Sequence, residues 1–183
     1  DSRVKVIKLQ NNSGVSVARN MGIRISEGDY IAFLDSDDYL DENFLEKLEE
    51  LSKLDNESAD IVFCGYKFVS SDRGIIKEAV PDIKEGRVYN AEEIMRKIIY
   101  GSVSIWTGSA MYRREMIKKA NLWFTPGAIN GQDREFIWKS VVNARSSIGT
   151  RAILSNYFQQ EHSLVRNPSF TKIHTLGCKL RFE

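Results

Sequence analysis

Three carboxylates, Asp35, Asp37 and Asp38, fall within four residues at the end of the run Gly28-Asp29-Tyr30-Ile31-Ala32-Phe33-Leu34. Side chains crowded in this way repel one another unless a cation or hydrogen bonds offset the charge. A hard divalent ion held through carboxylates and completed by phosphate oxygens is one solution. A solvated turn that caps the following helix, with Asp38 or Asp41 as N-cap, is the plainer one. A second stretch with chemical potential is Asn11-Asn12-Ser13-Gly14, which runs into a helical pattern. Such a turn offers free backbone N–H groups to an anion, and Asn12 and Gly14 are its candidate residues. Arg19, one turn further in, either adds a forked cationic contact to phosphate or is simply solvated.

These residues need elements to hold them. The run 30–34 is short, apolar and bounded by turn residues, which predicts a strand buried on both faces. The acids then lie just past its carboxyl end, where open α/β sheets bind ligands. Residues 4–9 alternate loosely and read as a strand, and 15–25 as a helix that Ser13 or Ser16 can cap. Phe44, Leu45, Leu48, Leu51 and Leu54 form the apolar stripe of a helix over 41–54. A strand over 60–69 is followed by a polar hairpin or exposed excursion over 70–85. Asn90 caps a helix over 91–100, with Glu93 at the capping-box position. A strand over 103–112, a short helix over 114–120, a loop over 123–131, a helix over 133–143 and a strand over 151–160 complete the pattern. From His162 the chain reads as loop and tail. The β-α-β-α order predicts a mixed or parallel sheet covered by helices.

A length of 183 residues suits one domain with a real core, and 42% hydrophobic with 28% charged residues is a soluble globular profile. A formal net charge of +1 argues against nucleic-acid binding through bulk electrostatics. Cys64 and Cys178 lie far apart without metal-type spacing, and Cys64 sits in an apolar run as a reduced core residue, which points to a reducing compartment. No run approaches the ~20 apolar residues of a membrane span, and no signal peptide is visible.

Taken together, Asn12-x-Gly14-x-x-x-Ala18-Arg19-Asn20-x-Gly22 and Gly28-x-Tyr30-Ile31-x-Phe33-Leu34-Asp35-Ser36-Asp37-Asp38 resemble the inverting family 2 glycosyltransferases, closely so over residues 4–45. The resemblance implies the nucleotide-diphospho-sugar transferase (A-type glycosyltransferase) fold, here expected as a mixed, mostly parallel sheet flanked by helices. It implies a nucleoside-diphosphate sugar donor, often uridine-linked, and a saccharide or lipid-linked acceptor in surface polysaccharide synthesis. Asp35 and Asp37 would hold Mn²⁺ or Mg²⁺ on the diphosphate, with Asp38 as a supporting or capping group. Such proteins are cytoplasmic and work at the inner face of the plasma membrane, so any membrane contact would come from parts outside this chain.

Gly131-Gln132-Asp133-Arg134-Glu135-Phe136 resembles the family's Gly-Glu-Asp-x-x-Phe segment, which makes Asp133 the general base for the acceptor hydroxyl. The alternative for Asp133 is an N-cap of the helix that follows, worth ~1 kcal/mol. Gln132 stands where an acidic residue is common, which leaves the base in place and bears on acceptor contacts and on its pKa. Trp106-x-Gly108 and 112–115 resemble the acceptor side of the cleft, where Trp106 either stacks on a sugar or belongs to the core. His162, in a stretch similar to the family's downstream loop, would be a third metal ligand or a diphosphate contact. Family members begin with a strand ending in Pro-x-Tyr-Asn, a helix and a second strand, which hold the base. None occurs before Val4, and the expectation is an N-terminally truncated fragment of one catalytic domain.

Other readings compete. A haloacid-dehalogenase-type phosphatase would use Asp35 as nucleophile, but leaves 12–22 without a purpose. An EF-hand loop starting at Asp35 fails because Leu40 stands where the turn demands Gly. A catalytically inactive sugar- or partner-binding domain could keep the same scaffold.

Overall fold

The computed structural model describes residues 1–70, 74–128 and 130–159. Its elements are α1 (Val15–Ile25), β1 (Tyr30–Ala32), β2 (Tyr39–Leu40), α2 (Phe44–Ser52), β3 (Ile61–Val69), β4 (Ile75–Ala79), β5 (Val88–Tyr89), α3 (Ala91–Ile99), β6 (Ala110–Arg113), α4 (Arg114–Lys119), α5 (Gln132–Asn143) and β7 (Ser147–Phe158). The strands form one sheet in the order β1-β6-β3-β7-β2, with β4 on β3 and β5 on β7.

Period-two alternation places the core. On β3, Ile61 and Phe63 point to one side of the sheet, where Tyr112, Phe33, Ile23, Ile94, Ile117 and Phe136 pack. Val62 and Cys64 point to the other, against Phe44, Leu48 and Leu51 of α2. Helices therefore cover both faces, as the order of elements predicts. Cys64 is buried and free, and burial pushes its thiol up to about 12, which keeps it protonated and inert.

The sheet is mixed, but it is not mostly parallel. Only β3 and β7 run parallel; the other five pairings among the described residues are antiparallel. Hairpin-like returns such as β3–β4, and the short strands β2 and β5 that fold back on β7, account for this. β1 is also not buried on both faces: Ile31 and Phe33 are buried while Ala32 and Leu34 are exposed. Residues 4–9 form no strand. Val4, Val6 and Ile7 are exposed there, and alternation alone makes no strand without a partner edge.

Two further expectations change in detail. The apolar run 103–112 is interrupted by a 3₁₀ turn, Thr107–Ser109, before β6 begins. The Ser109 amide and hydroxyl both donate to the Trp106 carbonyl, closing the turn locally. β7 begins at Ser147 rather than 151, because Ser147 to Gly149 pair with the start of β3. By contrast, α1 and α3 form where the sequence places them, and Asn90 and Glu93 make the reciprocal capping box.

Candidate active site

Two helix starts and one strand end meet around Arg19. β1 leads into a tight turn in which the Asp38 amide donates to the Asp35 carbonyl at 3.1 Å. α1 starts from Gly14, whose φ of 82° a side chain would strain. The Gly14 amide donates to Asn12 Oδ1 at 3.2 Å, and no side chain caps α1, neither Ser13 nor Ser16. Ser16 is buried with a hydroxyl that has no partner among the described residues. α5 also starts from a left-handed glycine, Gly131 at φ 81°, so Asp133 lies in its first turn and is not its N-cap.

Arg19 joins these parts. Its Nη2 donates to both Asp35 oxygens, at 2.7 and 2.9 Å, while Nη1 donates to Asp133 Oδ1. The arginine side chain is 8% exposed, against 36% for Asp35 and 34% for Asp133. It is thus neither solvated nor extended toward an open phosphate site. Its guanidinium lies 5.1 Å over the Phe124 ring. The neighbouring Asn20 fixes Phe124 by donating to its carbonyl at 2.8 Å and accepting from its amide at 2.9 Å. Phe124 stacks on Phe136 at 4.1 Å, and Phe33 meets both edge-on. Phe33 lies two residues before Asp35 and Phe136 three after Asp133, so one aromatic floor aligns both carboxylates.

The electrostatics follow from this packing. Burial works against the Arg19 charge, but Asp133 and Asp35 outweigh it and raise its pKa. Burial raises the Asp133 pKa, with the Asp35 charge adding to it and Arg19 opposing. Asp38 caps no helix. Its Oδ1 accepts the Phe158 amide at 2.8 Å while Oδ2 is buried without a partner among the described residues, and burial pushes its pKa up to about 6. Asp41 instead accepts the Asn43 amide, just ahead of α2.

The structure thus brings Arg19, Asp35 and Asp133 into direct contact, places Asp37 in the same turn as Asp35, and puts Asn12 and Gly14 at the head of the helix that carries Arg19. His162 lies outside the described residues. Trp106 is half-buried, its ring flat against Gly108 and edge-on to Tyr157 at 5.2 Å. Gln132 Oε1 is buried without a partner among the described residues.

Sequence reasoning did not single out the Tyr112 hydroxyl. It is fully buried with no partner among the described residues, and burial and the nearby Asp133 raise its pKa while Arg19 lowers it. It belongs to the stretch 112–115 that resembles the acceptor side, but nothing there marks the hydroxyl; its place on β6, packed on Phe136 at 5.4 Å, brings it close. Two clefts of about 520 and 1070 Å³ share Arg113, Glu115 and Lys119; residues of the 112–115 stretch line both, but Asn12, Gly14, Arg19, Asp35, Asp37 and Asp133 line neither.

The sequence model described as Glycosyl transferase family 2 matches residues 1–120. The chain belongs to glycosyl transferase family 2. It is 34% identical over 139 residues to an uncharacterized glycosyltransferase, EpsJ, of Bacillus subtilis, covering 74% of this chain and 39% of that one. Over 171 residues it is 30% identical to the poly(ribitol-phosphate) beta-N-acetylglucosaminyltransferase TarP of Staphylococcus aureus, covering 91% and 50%. The crystal structure of S. aureus TarS 1-349 in complex with UDP-GlcNAc superposes with a TM-score of 0.74 at 19% identity, covering 94% of this chain and 48% of that one. The family 2 chain therefore has the A-type glycosyltransferase fold. It spans half or less of the length of EpsJ and TarP. Membership also sets aside the phosphatase reading of Asp35.

As a metal site, the acidic turn fits one kind of occupant. Among the described residues no three His, Cys, Asp or Glu side chains are grouped to cage an ion. Oxygen ligands from one or two carboxylates, completed by substrate phosphates, suit Mg²⁺ or Mn²⁺, whose all-protein cages are uncommon. Both Asp35 oxygens accept from the Arg19 guanidinium, so an ion there would share or replace that contact.

No helix among the described residues is long and apolar enough to cross a membrane.

Proposed function

We propose that this chain is the catalytic part of a metal-dependent, inverting glycosyltransferase that moves a sugar from a uridine-diphosphate donor to a saccharide or lipid-linked acceptor in surface polysaccharide synthesis. The observation that supports the reading is the single arginine paired with both Asp35 and Asp133, which brings together the two carboxylates proposed for the donor side and the acceptor side. The uridine donor is supported by TarS, of similar fold, whose crystal structures hold UDP-GlcNAc and UDP.

Asp35 and Asp37 would hold Mn²⁺ or Mg²⁺, which when bound neutralises charge on the departing diphosphate. Asn12 and Gly14 would face the donor from the head of α1, whose uncapped amides suit an anion, and Arg19, one turn further in, would reach the donor side through the Asp35 carboxylate it holds. Asp133 accepts the proton of the acceptor hydroxyl as that oxygen bonds to the anomeric carbon. The bond from that carbon to the diphosphate breaks on the opposite side, its electron pair leaving with the nucleotide. Burial raises the basicity of Asp133, which favours this role. His162 is a proposed third ligand. The work would be done in the cytoplasm, at the inner membrane face.

Calorimetric titration with UDP, with and without Mn²⁺, tests the donor site. The expected result is Mn²⁺-dependent binding that Asp37→Ala abolishes. Binding indifferent to Mn²⁺ and to that substitution would remove the metal from the acidic turn, and binding without turnover on any UDP-sugar would favour an inactive sugar-binding domain.

A further inference from the structure

Arg19 occupies the oxygens that the metal reading needs. Both Asp35 oxygens accept from one guanidinium nitrogen, and the other nitrogen holds Asp133. Two cations on one carboxylate repel strongly where solvent screening is weak, and Arg19 is nearly buried. The arginine also has somewhere to stay: Asp133 and the Phe124 face hold it independently of Asp35.

We propose that Arg19 is the site's internal cation, pinning Asp35 to Asp133 in the free chain, and that a divalent ion binds Asp35 only by displacing this guanidinium. Arg19 is therefore a positioning residue that couples the donor-side carboxylate to the acceptor-side one. Arrival of the ion leaves the guanidinium to Asp133 alone, so the two halves of the site respond to each other. The inference rests on the reading of Asp35 as the metal carboxylate.

The test is Mn²⁺ binding to the full chain without donor, followed by the electron paramagnetic resonance signal of free Mn²⁺. Arg19→Met is expected to tighten Mn²⁺ at least about fivefold, the lower end of ordinary coupling between competing ligands. Arg19→Lys keeps the charge but lacks the planar fork, and is expected to fall between wild type and Arg19→Met. Asp133→Asn leaves the arginine to Asp35 and is expected to weaken Mn²⁺, an effect that should vanish in the Arg19→Met background. Mn²⁺ affinity unchanged or weakened by Arg19→Met overturns the proposal. So does Arg19→Lys indistinguishable from wild type beside a tightened Arg19→Met, because bulk charge would then suffice. If Arg19→Met does not fold, as thermal melting would reveal, Arg19→Lys with Asp133→Asn still decides the sign. Mn²⁺ binding that ignores Arg19 sinks this inference alone; where no variant binds Mn²⁺ by itself, the same series is read as Mn²⁺-dependent UDP affinity, and no Mn²⁺ dependence there in any variant sinks the metal reading with it.

Discussion

Asp38 Oδ1 accepts the Phe158 backbone N–H at 2.8 Å, tying the acidic turn to the end of β7 across 120 positions of sequence. The same carboxyl is pushed up to about 6 by burial, with Asp37 and Asp35 adding to the shift. Its folded value lies above the ordinary 3.8, so the native state binds this proton more tightly than the unfolded chain. Stability from this group is complete below about pH 4 and is lost as the pH rises through about 6. Asp38→Asn removes that loss. Melting temperatures measured in chelator should show the variant gaining on wild type between pH 4 and 6 and keeping its lead at pH 8. A gap independent of pH would mean that Asp38 is ionised throughout.

Asp133→Asn separates chemistry from binding. Loss of a general base costs about 10²–10⁴ in rate, so turnover at saturating Mn²⁺ and donor should fall by that factor while UDP still binds, even though the variant needs more Mn²⁺ to reach saturation. Because burial raises the Asp133 pKa, the acidic limb of the wild-type kcat/KM profile should lie above the range of an ordinary aspartate. A variant with near-normal turnover would leave Asp133 a structural partner of Arg19.

Tyr112→Phe is expected to stabilise. A buried hydroxyl without a partner costs ~1–3 kcal/mol, and phenylalanine keeps the ring contacts with Phe33 and Phe136. Urea unfolding should show a higher midpoint at unchanged m. A lower midpoint would reveal that the hydroxyl has found a partner in solution.

Gly108→Ala should do the opposite. A methyl group there would meet the Trp106 ring at 2.6–3.0 Å, closer than real side chains approach. Such overpacking costs ~1–3 kcal/mol or moves the tryptophan. A fall in melting temperature with a shifted tryptophan emission is the expected pair of readings. Activity that falls more steeply than stability would point to Trp106 as part of the acceptor surface.

Local signals made much of this molecule legible. The spacing of Val15 to Ile25, the Asn90–Glu93 box and the break from apolar strand to acidic turn each carry their cause within a few residues. What failed depended on partners. Residues 4–9 have the alternation of a strand and no neighbour to pair with. β2 and β5 are two residues long and exist only because β7 is beside them. Arg19 looked like a cation near a helix start; nothing local says that its partners stand 16 and 114 positions away. The Tyr112 hydroxyl was invisible for the same reason, since burial without a partner is a property of packing.

The parallel pairing of β3 with β7 has a cost in time. Ile61 waits for Ser147, and β2 and β5 wait for the same strand. On a ribosome, the nascent chain would therefore carry β3 with one edge bare until its last described strand emerges. Pausing translation within β7 should leave a protease-sensitive intermediate, one that holdase chaperones would recognise by its open strand edges.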